Sequence, residues 1–253
     1  MHFNFKGKTV LVTASSKGIG YELAKQFLIL NANVCICSRN IKNLKKAKNS
    51  LLKFSSSNKF LVVRHDISNI NNQSKLIKKI RKKFNSDVSI LINNSGGPIP
   101  KAADAISLNE WNKALGNNLL SAISISKEVI PKMKKNNWGR IINISSIWGT
   151  KSIEKRTSYT TSKAALIGMT KTFAIEGAKH NILVNSVSPG FTNTELTSKI
   201  LSKKDRKELI NKVPLKRMAK PKEIANIVAF LCSNLNTYIT GQNIIVDGGF
   251  TIT

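Results

Sequence analysis

Short apolar runs alternate with amphipathic stretches along the whole chain. The runs are rich in β-branched residues and too short for buried helices, so they predict strands. These strands span residues 8–13, 33–37, 60–63, 88–92, 140–144, 182–187 and 243–246. Between them, apolar residues recur at helical spacing, as Ile19, Leu23 and Phe27 do. The predicted helices span residues 18–30, 41–54, 73–84, 108–135, 158–179, 203–211 and 221–231.

This alternation is typical of βαβ units, which build a parallel sheet with helices on both faces. We therefore expect an α/β fold with a doubly wound parallel sheet that binds its ligands at the carboxyl edge of the strands. No Pro/Gly/Ser-rich linker or internal repeat divides the chain, so residues 1–253 are predicted to form a single domain. The polar stretch 191–215 follows Pro189-Gly190 and is predicted to be a mobile substrate loop.

The composition predicts a folded domain without a membrane segment. Hydrophobic residues make up 41% of the 253 residues, which is enough for a full core. No apolar run approaches the roughly 18–20 residues that cross a bilayer, and the first residues lack the features of a signal peptide. Cys35, Cys37 and Cys232 form no spaced framework, which favours free thiols in a reducing compartment over a metal site. We expect a soluble, cytoplasmic protein that does not bind membranes.

The formal net charge of +28 admits two interpretations. A strongly basic surface attracts nucleic acid, an acidic carrier protein or a phosphorylated substrate. Alternatively, an A/T-rich genome would enrich Lys, Asn and Ile without any selection for binding. The lysines are spread over many predicted helices, whereas a nucleic-acid reader concentrates Arg and aromatic residues on one surface. We favour the compositional interpretation and expect no specific nucleic-acid partner.

A glycine-rich turn follows the first predicted strand. Residues 13–20 are TASSKGIG, in which glycines allow a tight turn and let the backbone approach a pyrophosphate at a helix N-terminus. The candidate binding residues are Thr13, Ser15, Ser16, Lys17, Gly18, Ile19 and Gly20. Ala14 replaces the first glycine of a G-x-x-x-G-x-G spacing. It fits if its φ is negative, and a left-handed conformation would count against a nucleotide turn.

The residue after the second strand is expected to select the cofactor. An acidic side chain there would hold the ribose hydroxyls of NAD, but the sequence has Ser38-Arg39-Asn40. Arg39 would pair with a 2′-phosphate, and Lys17 could supply a second positive charge. Both residues favour NADP(H) over NAD(H), although each could also be an ordinary surface cation in so basic a protein.

Tyr159 and Lys163 form a Y-x-x-x-K pattern, which places both side chains on one face of a helix. A tyrosine has a pKa near 10, and a nearby ammonium group lowers that pKa. Such a phenol can give or take a proton near neutral pH, as hydride transfer to a carbonyl requires. The pattern is common by itself, so its value depends on the residues that accompany it.

Several motifs accompany this pair. Ser146 follows the fifth strand, and Asn118 lies in the long helix before that strand. Asn94-Ser95-Gly96 follows the fourth strand, and Pro189-Gly190 follows the sixth. With the glycine turn, this set resembles the short-chain dehydrogenase/reductase family over essentially the whole chain. It is most similar to the branch of 3-oxoacyl-[acyl-carrier-protein] reductases and related sugar, polyol and ketone reductases.

The resemblance implies a single Rossmann-type domain with a seven-stranded parallel sheet, usually assembled as a homotetramer. It also implies a catalytic tetrad of Asn118, Ser146, Tyr159 and Lys163. Ser146 would polarise the substrate oxygen, and Tyr159 would transfer the proton. Lys163 would lower the pKa of Tyr159 and bind the nicotinamide ribose, while Asn118 would hold a relay water.

The resemblance further implies cofactor contacts outside the glycine turn. The residues concerned are Arg39, Asp66, Ile67, Asn94, Ser95, Gly96, Tyr159, Lys163, Pro189, Gly190 and Thr192. Asp66 would contact the adenine ring and Thr192 the nicotinamide amide. Asp66 could instead cap the helix that follows it. Ser95 replaces the alanine that is usual in the family, a small residue for a small one.

The sequence leaves the substrate open. A carrier-linked 3-oxoacyl group is the leading prediction, and a sugar, polyol or other small ketone is the alternative. A basic surface suits an acidic carrier, but Lys134, Lys135 and Lys179 stand where carrier-docking enzymes of this branch often have arginines. A non-catalytic NADP-sensing or nucleic-acid-binding protein is the alternative of another class. The complete tetrad and the scattered lysines argue against it.

Overall fold

The computed structural model describes residues 3–253, apart from the side chains of Leu196, Lys199, Ile200 and Lys203. Its centre is a seven-stranded parallel sheet in the order β3-β2-β1-β4-β5-β6-β7. The strands are β1 Thr9–Val12, β2 Asn33–Ser38, β3 Phe60–Arg64, β4 Ile90–Asn93, β5 Gly139–Ile144, β6 Ile182–Pro189 and β7 Asn243–Val246. The predicted doubly wound α/β fold is confirmed, and each predicted strand end lies within two residues of the observed one.

Helices connect the strands on both faces of the sheet. They are α1 Gly18–Ile29, α2 Ile41–Leu51, α3 Gln73–Phe84, α4 Leu108–Leu115, α5 Ser121–Lys135, α6 Thr157–Ala178, α7 Glu195–Ile200, α8 Lys203–Lys212 and α9 Pro221–Cys232. The predicted helix 108–135 contains a π-helical turn, Gly116–Leu120, between α4 and α5. α7 was not predicted, because six residues are too few to show an apolar period. Within residues 3–253, no helix combines the length and apolar character needed to cross a membrane.

Alternate residues of each strand supply two apolar cores, one on each face of the sheet. Val10 and Val12 of β1 pack with Leu23 and Phe27 of α1, in a core that α2 and α9 complete. Leu11 belongs to the opposite core, which α3, α5 and α6 cover. Because both faces are buried, the strands are almost continuously apolar.

The strand order places a crevice at the carboxyl edge of the sheet. β1 lies between β2 and β4, so the order reverses at this point. Connections that leave β1 and β4 therefore diverge to opposite faces and open a cleft between them. The glycine-rich turn after β1 and residues 94–97 after β4 form the sides of this cleft.

Candidate active site

The N-terminus of α1 is open to an anionic ligand. Gly18, Ile19 and Gly20 form its first turn, where backbone N–H groups have no carbonyl partner within the helix. Among the described residues, no side chain caps this end, and the first turn contains no acidic residue. α4 and α8, by contrast, begin with capping boxes. The partial positive charge at the start of α1 is therefore available to a phosphate group.

Ala14 adopts the backbone conformation that glycine normally provides. Its φ is 49° rather than negative, so the condition under which alanine fits a nucleotide turn is not met, and this feature by itself counts against such a turn. The turn nevertheless keeps its hydrogen bonds. Ser15 N donates to the Cys37 carbonyl oxygen over 3.1 Å, and Asn94 Nδ2 donates to the Ala14 carbonyl oxygen over 3.2 Å. A left-handed L-residue costs about 1–2 kcal/mol, so Ala14 strains the turn without dismantling it.

Three hydroxyl residues hold the glycine turn from within. Thr13 Oγ1 accepts from Asn94 N over 2.9 Å, and Ser15 Oγ donates to the last carbonyl of β1 over 2.6 Å. Ser16 Oγ donates to Ser38 Oγ over 3.1 Å. None of the three lines the two cavities of the cleft. The contacts observed for these residues are structural ones, and their predicted cofactor contacts stay predictions.

Two adjoining cavities occupy the cleft. Their volumes are about 400 and 390 Å³, and Ala14 and Gly96 belong to the walls of both. The predicted site residues in the first are Lys17, Gly18, Ile19, Gly20, Asn94, Gly96, Ser146, Tyr159, Lys163, Pro189, Gly190 and Thr192. Those in the second are Arg39, Ile67, Ser95 and Gly96. The two cavities together form one cleft that extends from Arg39 to Tyr159.

Lys163 is buried in the wall of the first cavity. Its Nζ donates to the Ile144 carbonyl oxygen over 2.7 Å and to the Ser95 carbonyl oxygen over 3.5 Å. Burial lowers the pKa of Lys163 to about 8. Nζ lies 5.8 Å from the centre of the Tyr159 ring, as expected for residues one helical turn apart. The amine can therefore carry or release a proton near neutral pH.

Tyr159 and Ser146 meet in the same cavity wall. Burial raises the pKa of Tyr159, while its hydrogen bond with Ser146 and the charge of Arg156 act in the opposite direction. The expectation of a lowered Tyr159 pKa is therefore wrong, because desolvation has the larger effect. Ser146 Oγ also accepts from Trp148 N over 3.2 Å, which orients the hydroxyl group. The two hydroxyls give the cavity adjacent groups suited to a carbonyl oxygen.

The π-helical turn between α4 and α5 contains Asn118, which lies behind the cavity wall. Its Oδ1 accepts from Gly97 N over 3.0 Å, and its Nδ2 donates to Ser162 Oγ over 2.8 Å. A Cβ placed on Gly96 would lie 2.6 Å from Asn118 Oδ1 and 3.1 Å from Lys163 Nζ. Asn118 and Lys163 therefore meet behind Gly96. Asn118 does not line either cavity.

Arg39 lines the second cavity, whereas Asp66 lies outside it. Asp66 Oδ1 accepts from the backbone N and the Oγ of Ser68, over 3.0 and 2.7 Å. Burial acts to raise the pKa of Asp66, but the Ser68 hydrogen bonds and the charges of Arg39 and His65 lower it overall. The carboxylate thus stabilises its own turn. Its adenine contact stays a prediction, while the neighbouring Ile67 lines the cavity.

The first cavity also includes part of the predicted substrate loop 191–215, in which no periodic pattern singled out individual residues. The residues of this loop in the cavity wall are Phe191, Thr194, Glu195 and Thr197. Glu195, the first residue of α7, forms an ion pair with Lys17 of the glycine turn. A Cβ on Gly18 would lie 3.6 Å from the Thr194 methyl group. The start of α7 therefore lies directly against the glycine turn.

The chain is similar to known proteins over almost its whole length. Residues 13–251 match a family model described as enoyl-(acyl carrier protein) reductase. The 3-oxoacyl-[acyl-carrier-protein] reductase FabG of Aquifex aeolicus is 36% identical over 252 residues, covering 98% of this chain and 99% of that protein. A tropinone reductase homolog of Arabidopsis thaliana is 36% identical over 253 residues, covering 99% of this chain and 94% of that protein.

A solved structure has the same fold. It comes from Agrobacterium tumefaciens and is provisionally identified as a gluconate dehydrogenase. Its TM-score is 0.93 at 26% sequence identity, covering 100% of this chain and 99% of that chain. These similarities agree with the parallel sheet and with the cleft at its carboxyl edge. The chain is thus an oxidoreductase with a nicotinamide cofactor, and it belongs to the short-chain dehydrogenase/reductase family, in the branch that resembles 3-oxoacyl-[acyl-carrier-protein] reductases.

Proposed function

We propose that the protein transfers a hydride between NADP(H) and a ketone or secondary alcohol. One observation carries this proposal. Ser146 and Tyr159 line the same cavity as the first turn of α1. A ligand that places a phosphate at this turn would extend towards the two hydroxyls that can bind a carbonyl oxygen. The similarity to a 3-oxoacyl-[acyl-carrier-protein] reductase supports the same reaction class.

The residues of the cleft fit a nicotinamide dinucleotide. The uncapped first turn of α1 would hold the diphosphate, and Arg39 in the second cavity would pair with a 2′-phosphate. Lys17 already forms an ion pair with Glu195, so its charge is shared with that carboxylate. The proposed preference for NADP(H) over NAD(H) therefore rests chiefly on Arg39. When bound, the nicotinamide would supply or accept the hydride.

The proposed tetrad roles follow from the contacts of its members. Ser146 would donate a hydrogen bond to the substrate oxygen. Tyr159 would give its proton to that oxygen in reduction and remove it in oxidation. Lys163, whose pKa is about 8, would hold the nicotinamide ribose and restore the proton to Tyr159. Asn118 meets Lys163 behind Gly96 and would position the water that exchanges protons with the amine.

We propose a carrier-linked 3-oxoacyl thioester as the substrate. The 36% identity to the Aquifex aeolicus reductase over 98% of this chain supports this class. The net charge of +28 would also attract an acidic carrier protein. The alternative is a sugar, polyol or other small ketone. The tropinone reductase homolog and the provisional gluconate dehydrogenase support that alternative.

A substrate screen tests this proposal. Oxidation of NADPH and of NADH is followed with a 3-oxoacyl thioester, its carrier-linked form, a keto-sugar, a bicyclic ketone and an enoyl thioester. We expect NADPH-dependent reduction of the 3-oxoacyl compounds, with the carrier-linked form the best substrate. In the control variant Tyr159→Phe, the rate should fall by a factor of about 100 or more. If the keto-sugar alone is reduced, the substrate is a sugar or polyol and not a 3-oxoacyl thioester. If no compound is reduced, the proposed function is wrong.

We also propose that the protein is a cytoplasmic homotetramer. Leu108, Ile175 and Tyr238 are 81%, 79% and 95% exposed in the single chain, and large exposed apolar side chains often mark subunit contacts. Cys35, Cys37 and Cys232 are buried free thiols, which suits a reducing compartment. Light scattering should give about four times the chain mass of 27.9 kDa. A mass equal to one chain would exclude the tetramer.

A further inference from the structure

Three aromatic side chains form a cluster beside the proposed catalytic pair. The ring centroids of Trp148 and Phe191 are 6.2 Å apart, and those of Trp148 and Phe250 are 6.1 Å apart. Phe191 and Phe250 approach to 5.0 Å. Every pair is edge-to-face, the geometry that aromatic rings favour. All three side chains are partly exposed, so the cluster presents an apolar surface to solvent.

Two contacts connect this cluster to the cavity that contains Tyr159. Phe191 lines the first cavity together with Ser146 and Tyr159. The backbone N of Trp148 donates to Ser146 Oγ over 3.2 Å, so the indole belongs to a residue that contacts that hydroxyl through its backbone. Of the three rings, Phe191 is the one in the wall of the first cavity, and Trp148 and Phe250 pack beside it. A carbonyl oxygen held by Ser146 and Tyr159 would therefore place one substituent of its carbon towards Phe191, beyond which the other two rings continue the apolar surface.

The C-terminal segment holds the third ring in place. The Asp247 carboxylate accepts from Gly249 N and Thr251 N over 2.9 and 2.7 Å. Lys151 Nζ donates to the carbonyl oxygen of Thr253 over 3.1 Å. These bonds fold the chain end back over the segment that carries Trp148. Phe250 is thus preorganised, and binding an apolar group against it would need little further ordering.

We propose that Trp148, Phe191 and Phe250 form the wall that binds an apolar chain or ring on the carbonyl carbon of the substrate. This inference rests on the proposed function and selects among its substrates, favouring an acyl or alicyclic ketone over a sugar or polyol. The hydroxyl groups of a sugar or polyol lose hydrogen bonds to water when they bind, and phenyl rings give them no hydrogen-bond partner in return. Each methylene group buried against the rings, by contrast, strengthens binding.

A chain-length comparison tests the wall. The probes are the N-acetylcysteamine thioesters of 3-oxobutanoate and 3-oxooctanoate, measured with NADPH. Each buried methylene should raise kcat/KM roughly four-fold, so the longer thioester should exceed the shorter by at least about ten-fold. Phe250→Ala should lower kcat/KM of the longer thioester by about five-fold or more and leave the shorter within about two-fold. Phe54→Ala, which removes a ring that is 39% exposed beyond the end of α2, is the matched control and should change neither.

The outcomes separate the wall from the function. If Phe250→Ala lowers kcat/KM equally for both thioesters, the proposed wall is wrong. If the variant also loses oligomeric mass, the cluster is a subunit contact instead. If the wild-type protein reduces the two thioesters with equal kcat/KM, the proposed wall is also wrong, while the proposed function stands. If no carbonyl is reduced, the proposed function fails, and quenching of tryptophan fluorescence decides the wall. The wall is supported if a 3-hydroxyoctanoyl thioester quenches the fluorescence saturably and at lower concentration than a 3-hydroxybutanoyl thioester, and if this quenching is weaker in Trp148→Phe. Equal quenching by the two thioesters would refute the wall.

Discussion

Replacing Lys163 with Met should remove a pH-dependent cost from the folded state. Burial lowers the pKa of Lys163 from 10.5 to about 8, and a tenfold change in an acid dissociation constant corresponds to about 1.4 kcal/mol. Below pH 8, the fold therefore disfavours the charged amine by about 3 kcal/mol. Methionine avoids this cost but leaves the Ile144 carbonyl oxygen, 2.7 Å from Nζ, without a donor. That loss costs about 1–3 kcal/mol, so the two effects largely offset near pH 7.

The pH dependence of stability distinguishes the two effects. Because the pKa of Lys163 is lowered by folding, the unfolded chain binds more protons between about pH 8 and pH 10.5. The wild-type free energy of unfolding therefore gains a contribution that rises with pH through this window. At about pH 10 the contribution is roughly 2–3 kcal/mol, and Lys163→Met lacks it. Urea unfolding at pH 7 and pH 10, at equal protein concentration, gives the free energy of unfolding of both proteins. The difference between wild type and Lys163→Met should grow by this amount from pH 7 to pH 10.

Lys171→Met is the matched control for this experiment. Lys171 lies on α6, as Lys163 does, but its side chain is exposed. Replacing it removes a lysine from the same helix without disturbing the buried cavity wall, so it shows how much of the change at Lys163 comes from losing any lysine of α6. If the difference between wild type and Lys163→Met is the same at both pH values, folding does not lower the pKa of the buried amine.

Three further substitutions test the cofactor cleft. Arg39→Asp should weaken NADPH binding roughly ten- to hundred-fold more than NADH binding, because it would remove the charged hydrogen bond that we propose Arg39 makes to the 2′-phosphate; equal losses measured by calorimetry would refute the assignment. Ala14→Gly should stabilise the fold by up to about 1 kcal/mol, since relief of the left-handed strain exceeds the added chain entropy; a lower urea midpoint would contradict this. Gly96→Ala should abolish NADPH binding and destabilise the fold, because its methyl group would meet Asn118 Oδ1 at 2.6 Å and its φ is 134°. Gly97→Ala, whose new Cβ would have no atom within 4 Å apart from its chain neighbours, should leave the stability of the fold unchanged, and an equal loss of stability would exclude the steric explanation.

The sequence by itself determined the fold class and much of the candidate chemistry. Apolar runs of strand length predicted all seven strands, because parallel strands buried on both faces exclude polar residues. The spacing of Tyr159 and Lys163 predicted that they share one face of a helix, since helical geometry depends on neighbours alone. The same local reasoning located the glycine turn at the start of α1. These features are encoded in short segments of the chain.

Only the tertiary structure decided which distant residues meet and how strongly each is desolvated. The cluster of Trp148, Phe191 and Phe250 joins three separate segments, and no local pattern announces it. The direction of the Tyr159 pKa was wrong from sequence, because burial depends on every element packed around the ring. The sequence left the sign of the Ala14 φ open, because the surrounding strands and turns impose the left-handed value on a residue that would otherwise avoid it. Periodicity is a local property of the sequence, whereas contact and solvation sum over the whole folded chain.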